Sequence, residues 1–225
     1  PFGLKRLRQQ FLIPQRRARA PLGARIAGKV MRIIGLTGTL GAGKGACVDI
    51  LVRAHGFQHK SVRQFLYEEV ARRGLHSQDR DTLVTVANDL RTVGGPSVII
   101  ERLLDEATTE GRDVIIESVR TKGEADILLA RGALLMAVDA ERATRYERVC
   151  NRGSATDRVS WERFVQDEER EMTNEDPTRQ NLSAVIGLSH EVIRNDGSLE
   201  ELETKIELAL SNFEQHSLSA TTAVA

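Results

Sequence analysis

The residues best suited to chemistry are Gly38, Gly41, Ala42, Gly43 and Lys44, in the run GTLGAGK. The spacing is G-x-x-x-x-G-K. Glycines at these places let backbone N–H groups wrap a phosphate, and a lysine at the end reaches the terminal phosphates as a point charge. The next residues are Gly45 and Ala46. Most such loops carry Ser or Thr directly after the lysine, where the hydroxyl helps hold magnesium. The chemistry implied is therefore nucleotide binding and phosphoryl transfer, which needs a cradle, a metal-orienting acid and several cations around the moving group.

Candidates for those further parts recur along the chain. Glu117 ends the apolar run DVIIES and is suited to orient magnesium through water; Arg120 follows three residues later. Arg145, Arg148 and Arg152 fall on one face of a helix. Arg148 and Arg152 read as functional cations, and Arg145 as a solvated partner of Glu141. Arg63 and Arg80 are candidate acceptor ligands, and Asn195 and Gly197 lie in the turn NDGSLEEL. Asp139 reads as a strand end, Trp161 as a packing residue, and the five histidines show no ligand spacing.

These residues need a scaffold, and the hydropathy pattern supplies one. Apolar runs at 32–37, 113–118 and 133–138, with shorter candidate strands at 56–60 and 190–195, alternate with amphipathic segments, the pattern of a parallel sheet covered by helices. The glycine loop follows the first run and opens a helix over about 43–54, closed by Gly56. Three helices, from Ser61 to Gly74 and over 79–92 and 97–109, form an insert between the second and third strands. Ser61 with Gln64, and Thr121 with Glu124, have capping-box spacing. A helix over 141–151 leads into a short polar stretch containing Arg158, and Ser160 caps a helix over 161–172. Residues 173–183 read as a loop, the last helix ends near 211, and residues 212–225 read as a disordered tail.

The 225 residues carry 32 basic and 32 acidic side chains, yet the balance is uneven. Residues 1–32 hold nine Lys or Arg and no acid, leaving 23 basic against 32 acidic in the remainder. An acidic domain over 32–211 thus follows a basic arm over 1–31. The arm suits a transit segment, with a mitochondrial or other organellar matrix as destination, or an RNA contact made through phosphates. Otherwise a cytoplasmic placement is expected. Cys47 and Cys150 are far apart in sequence and read as reduced thiols. No run of about 18 apolar residues suggests a membrane span.

The stretch G-x-x-G-x-G-K-G at Gly38–Gly45 closely resembles the loop of adenylate kinases and related nucleoside monophosphate kinases. Those enzymes also place Gly after the Lys, and usually Thr one place later, where this chain has Ala46. The resemblance extends to IIESVR, and NDGSLEEL is similar to the adenine-side loop of this group, including dephospho-coenzyme A kinases. It implies an α/β P-loop NTPase fold of three layers. A five-stranded parallel sheet ordered 2-3-1-4-5 would carry a helical acceptor insert and a short lid. It further implies ATP and Mg2+ as cofactors and a small phosphate acceptor, with nucleoside monophosphates and dephospho-coenzyme A foremost. The alternative is a kinase-like fold kept as a structural or assembly component of an organellar ribonucleoprotein, using the arm on RNA with little or no turnover.

Overall fold

The computed structural model describes residues 25–26, 29–76, 79–152 and 160–222. Most of the basic arm, the lid stretch with Arg158 and the last three residues lie outside the described residues. Arg25–Ile26 (β1) and Lys29–Val30 (β2) pair antiparallel in a small two-stranded sheet that the charge pattern of the arm does not announce.

Five parallel strands form the main sheet: β3 (Ile33–Gly38), β4 (Gln58–Ser61), β5 (Val114–Glu117), β6 (Leu134–Asp139) and β7 (Glu191–Arg194). Their order is β4-β5-β3-β6-β7, the 2-3-1-4-5 arrangement expected. The central strands are apolar on both faces because helices cover both. Val114 and Ile116 join the core on one face, while Ile115 between them joins the core on the other. Leu135 and Leu134 divide in the same way.

On one face lie the insert helices α2 (Val62–Arg72), α3 (Arg80–Gly94) and α4 (Val98–Glu110), together with α5 (Lys122–Ala130). On the other lie α1 (Lys44–His55) and α9 (Leu199–Thr222). Helices α6 (Arg142–Arg152) and α7 (Trp161–Met172) follow β6, and α8 (Leu182–Gly187) precedes β7.

Three details differ from the sequence reading. The Thr121–Glu124 capping box forms, but Ser61 makes only half of one. Ser61 accepts from the Gln64 N–H, while the Gln64 side chain runs along the helix to Glu68 at 3.0 Å. A short helix, α8, stands where the reading ended a loop at 183. Asn181 caps it by accepting from the Ala184 N–H, and its Leu182 and Val185 are buried. The last helix continues to Thr222, past the expected end near 211 and into the stretch read as a disordered tail. No described helix is long and apolar enough to cross a membrane.

Candidate active site

The glycine loop leaves β3 at Gly38 and enters α1 at Lys44. Its glycines are demanded by backbone geometry and by crowding. Gly38 has φ 135°, and a Cβ there would lie 2.0 Å from the Val138 carbonyl oxygen on the adjacent strand. Gly43 has φ 100°, and its Cβ would lie 2.1 Å from Asn195 Nδ2. Asn195 donates to the Ala42 carbonyl at 2.8 Å, so this buried side chain braces the loop. By contrast, a Cβ on Gly45 would meet nothing within 4 Å. The missing hydroxyl after Lys44 is a matter of residue choice, not of space.

Two further contacts tie the loop down. Thr39 Oγ1 donates to Asp139 at 2.7 Å, and Asp139 also pairs with Arg194 at 3.0 Å, so Asp139 does more than end a strand. Arg145 is buried. It donates to the Ala140 carbonyl at 2.8 Å and the Leu40 carbonyl at 3.3 Å, and it pairs with Glu168. The expected solvated pair of Arg145 with Glu141 is therefore replaced by a brace, and the Glu141 carboxylate pairs with Arg194 at 2.9 Å.

Lys44 Nζ donates to the carbonyls of Gly38 and Thr39 at 2.9 and 2.8 Å. Burial pushes its ammonium down to about 7; Arg120 adds to the fall, and Glu117 opposes it. Glu117 lies at the carboxyl end of β5, in register with Leu36 and with Ser61. Burial pushes its carboxyl up, but the His59 contact at 3.3 Å, Lys44 and Arg120 together hold it below the usual range. The next residue, Ser118, has φ 73°, a conformation that L side chains rarely adopt.

Arg80, from the start of α3, and Arg120, after β5, meet on one buried carboxylate, Glu171 of α7. Burial pushes the Glu171 carboxyl up, and the two guanidinium groups more than offset this and hold it below the usual range. Arg91 of α3 pairs with Glu124, with both side chains at 1% exposure or less. Glu124 Oε2 in turn accepts from the backbone N–H of Arg120 and Thr121, so the pair underpins the turn that carries Arg120.

A cleft of about 490 Å³ joins these parts. Of the candidate residues, Gly41, Gly43, Lys44, Gly45 and Ala46 line its loop side. Glu117, Arg120, Arg63 and Arg80 line it from β5, α2 and α3, and Arg148 and Arg152 line it from α6. Gly38, Ala42, Asn195 and Gly197 do not line it. Among the described residues Arg63 has no hydrogen-bond or ion-pair partner, and Arg148 Nη1 is buried without a hydrogen-bond partner. Residues the sequence reading missed also line the cleft: Ser118, Glu171, Gln180 and Arg91. Glu171 sits among several acids near the end of α7, and nothing local distinguishes it from Glu168 or Glu169.

The parts fit a bound nucleotide and magnesium. The loop has the glycine cradle, and Lys44 is held on backbone carbonyls that a phosphate can replace. Among the described residues no cluster of three or more His, Cys, Asp or Glu is placed to hold a metal ion. Magnesium characteristically needs only one or two carboxylates plus water and substrate phosphates, and Glu117 supplies one.

A family model described as an AAA domain matches residues 34–176. A UPF0200 protein of Hyperthermus butylicus is 30% identical over 181 residues, covering 80% of this chain and 93% of that protein. In structure, the chain is similar to TT1252 from Thermus thermophilus, with TM-score 0.54 and 21% identity, covering 82% of this chain and 98% of that one. It is also similar to a shikimate kinase from Bacteroides thetaiotaomicron, with TM-score 0.51 and 12% identity, covering 81% and 99%. The chain belongs to the AAA domain family and to that of the UPF0200 proteins, and its fold is that of the P-loop kinases.

Proposed function

We propose that this family member is an ATP-dependent phosphotransferase. It passes the γ-phosphoryl group to a small hydroxyl or phosphate acceptor, with nucleoside monophosphates and dephospho-coenzyme A as the candidates. The observation that carries this is the convergence of Lys44, Glu117, Arg63, Arg80, Arg120, Arg148 and Arg152 on one cleft. A glycine turn with a purely structural role has no use for that set.

In this reading the loop N–H groups and Lys44 hold the β- and γ-phosphates, and Asn195 and Gly197 shape the nucleotide side from behind the loop. Arg148 and Arg152 neutralise charge on the donor. Glu117 orients magnesium through water; when bound, that ion neutralises charge on the transferring group. Arg63, Arg80 and Arg120 hold the acceptor, and the insert α2–α4 closes to exclude water.

Ala46 favours a second reading, a nucleotide-binding scaffold with little turnover, because no hydroxyl follows the loop lysine. An RNA contact through residues 1–31 and an organellar placement belong to that reading, and the archaeal relatives lend neither any support. The test is ATP turnover with magnesium against a panel of acceptors, with Lys44→Ala alongside. Acceptor-dependent turnover that disappears in the variant upholds the phosphotransferase. ATP binding with no turnover for any acceptor rejects it.

A further inference from the structure

The cleft contains one cation whose charge is already spent. Arg91 Nε and Nη2 both donate to Glu124 Oε1, at 3.0 and 2.8 Å, and the guanidinium is 1% exposed. Its Nη1 is buried with no hydrogen-bond partner among the described residues. A buried donor without a partner is unfavourable by roughly 1–3 kcal/mol, and such atoms call for an explanation. The Arg91–Glu124 pair is neutral as a unit. What Nη1 lacks is therefore an oxygen acceptor, not a counter-charge.

The surroundings narrow the choice. Leu83, Ala87 and Arg91 recur at four-residue spacing on one face of α3, and all three line the cleft. Val62 and Leu66 of α2 and Val84 of α3 complete an apolar wall beside them. A polyol or sugar acid would leave hydroxyl groups unpaired against that wall. Arg63, Arg80 and Arg120 line the same cleft and suit a phosphate. The matching molecule has an anionic end, a flat apolar body and a carbonyl oxygen on that body.

We propose that the acceptor is a nucleoside monophosphate with a keto base, such as guanine, hypoxanthine or uracil. Its exocyclic carbonyl accepts from Arg91 Nη1, and its phosphate meets Arg63, Arg80 and Arg120. This deepens the phosphotransferase reading and rests on the same cleft. Adenine and cytosine carry an amino group where hypoxanthine and uracil carry the carbonyl, and would set donor against donor. Shielding from water makes the contact discriminating, because the rejected base leaves the buried N–H unpaired.

The experiment compares IMP with AMP and UMP with CMP, which differ within each pair at that group. Binding is measured by titration calorimetry with a non-hydrolysable ATP analogue present, and turnover is measured with ATP and magnesium. GMP, dephospho-coenzyme A and gluconate complete the panel. We expect the keto member to be preferred by about tenfold or more in each pair. The double variant R91M/E124Q removes the pair together, and we expect it to bring both ratios within about threefold. If that variant does not fold, the wild-type ratios alone decide. Ratios near one, or no mononucleotide binding, overturn the proposal. Turnover with only dephospho-coenzyme A or gluconate overturns it while sparing the phosphotransferase. Selective binding without any turnover rejects the phosphotransferase and, with it, the acceptor assignment.

Discussion

Lys44 offers the sharpest test of the loop, because its proton is linked to the ligand. In the empty site burial holds the ammonium down to about 7, against an ordinary 10.5. A bound triphosphate brings negative charge to Nζ and returns the lysine to its charged form. At pH 8.5 an empty site is about 3% protonated, so nucleotide binding takes up about one proton at Lys44. At pH 6.0 the site is already about 90% protonated, and the uptake there is about 0.1 proton. The affinity should therefore fall by about tenfold per pH unit above 7, levelling off near the ordinary lysine value. The assay is calorimetry of a non-hydrolysable ATP analogue in buffers of different ionisation enthalpy, for the wild type and Lys44→Arg. The arginine stays charged throughout, so the difference between the two proteins isolates Lys44. Equal proton uptake by both, or an affinity flat between pH 7 and 9, would refute the reasoning.

Three further outcomes are expected. Gly38→Ala places a Cβ 2.0 Å from the Val138 backbone oxygen at φ 135°, and should lose about 3 kcal/mol or more, read as a fall in Tm of about 6–12 °C. Glu124→Ala leaves Arg91 buried without its partner and opens the α5 capping box; urea unfolding should show a loss of about 3–5 kcal/mol. Glu117→Gln keeps the side-chain shape but removes the charge, and should lower kcat about 100-fold while leaving the nucleotide Kd within about threefold, measured by steady-state kinetics beside calorimetry.

Much of this molecule is legible along the chain because the signals are local. The continuous apolar run in DVIIES is short, β-branched and preceded by Gly111, which reads as a buried strand, and it is buried on both faces of the sheet. Thr121 and Glu124 satisfy each other's backbone donors within one turn, so their helix start needs nothing from elsewhere. Where local signals compete, the reading slips. Gln64 has Glu68 within reach and takes it in place of the cap, and the apolar residues of α8 follow an Asn cap too closely to show a helical period.

The sequence by itself determined the glycine loop, a parallel sheet covered by helices, and phosphoryl transfer as the chemistry to consider; the strand order followed only from the resemblance to nucleoside monophosphate kinases and is set by tertiary packing. A phosphate cradle is written in consecutive residues, and a parallel sheet is written in the alternation of apolar and amphipathic segments. Tertiary structure alone decided how the charges and polar groups around the loop pair. Arg80 and Arg120 reach Glu171 across 91 and 51 residues, Thr39 reaches Asp139 across 100, and Arg145 turns inward to Glu168 instead of outward to Glu141. A charged side chain on a helix reads the same whether it faces water or a buried partner. Its role is set by which element packs over it, and that is settled only when the whole sheet and its helices are in place.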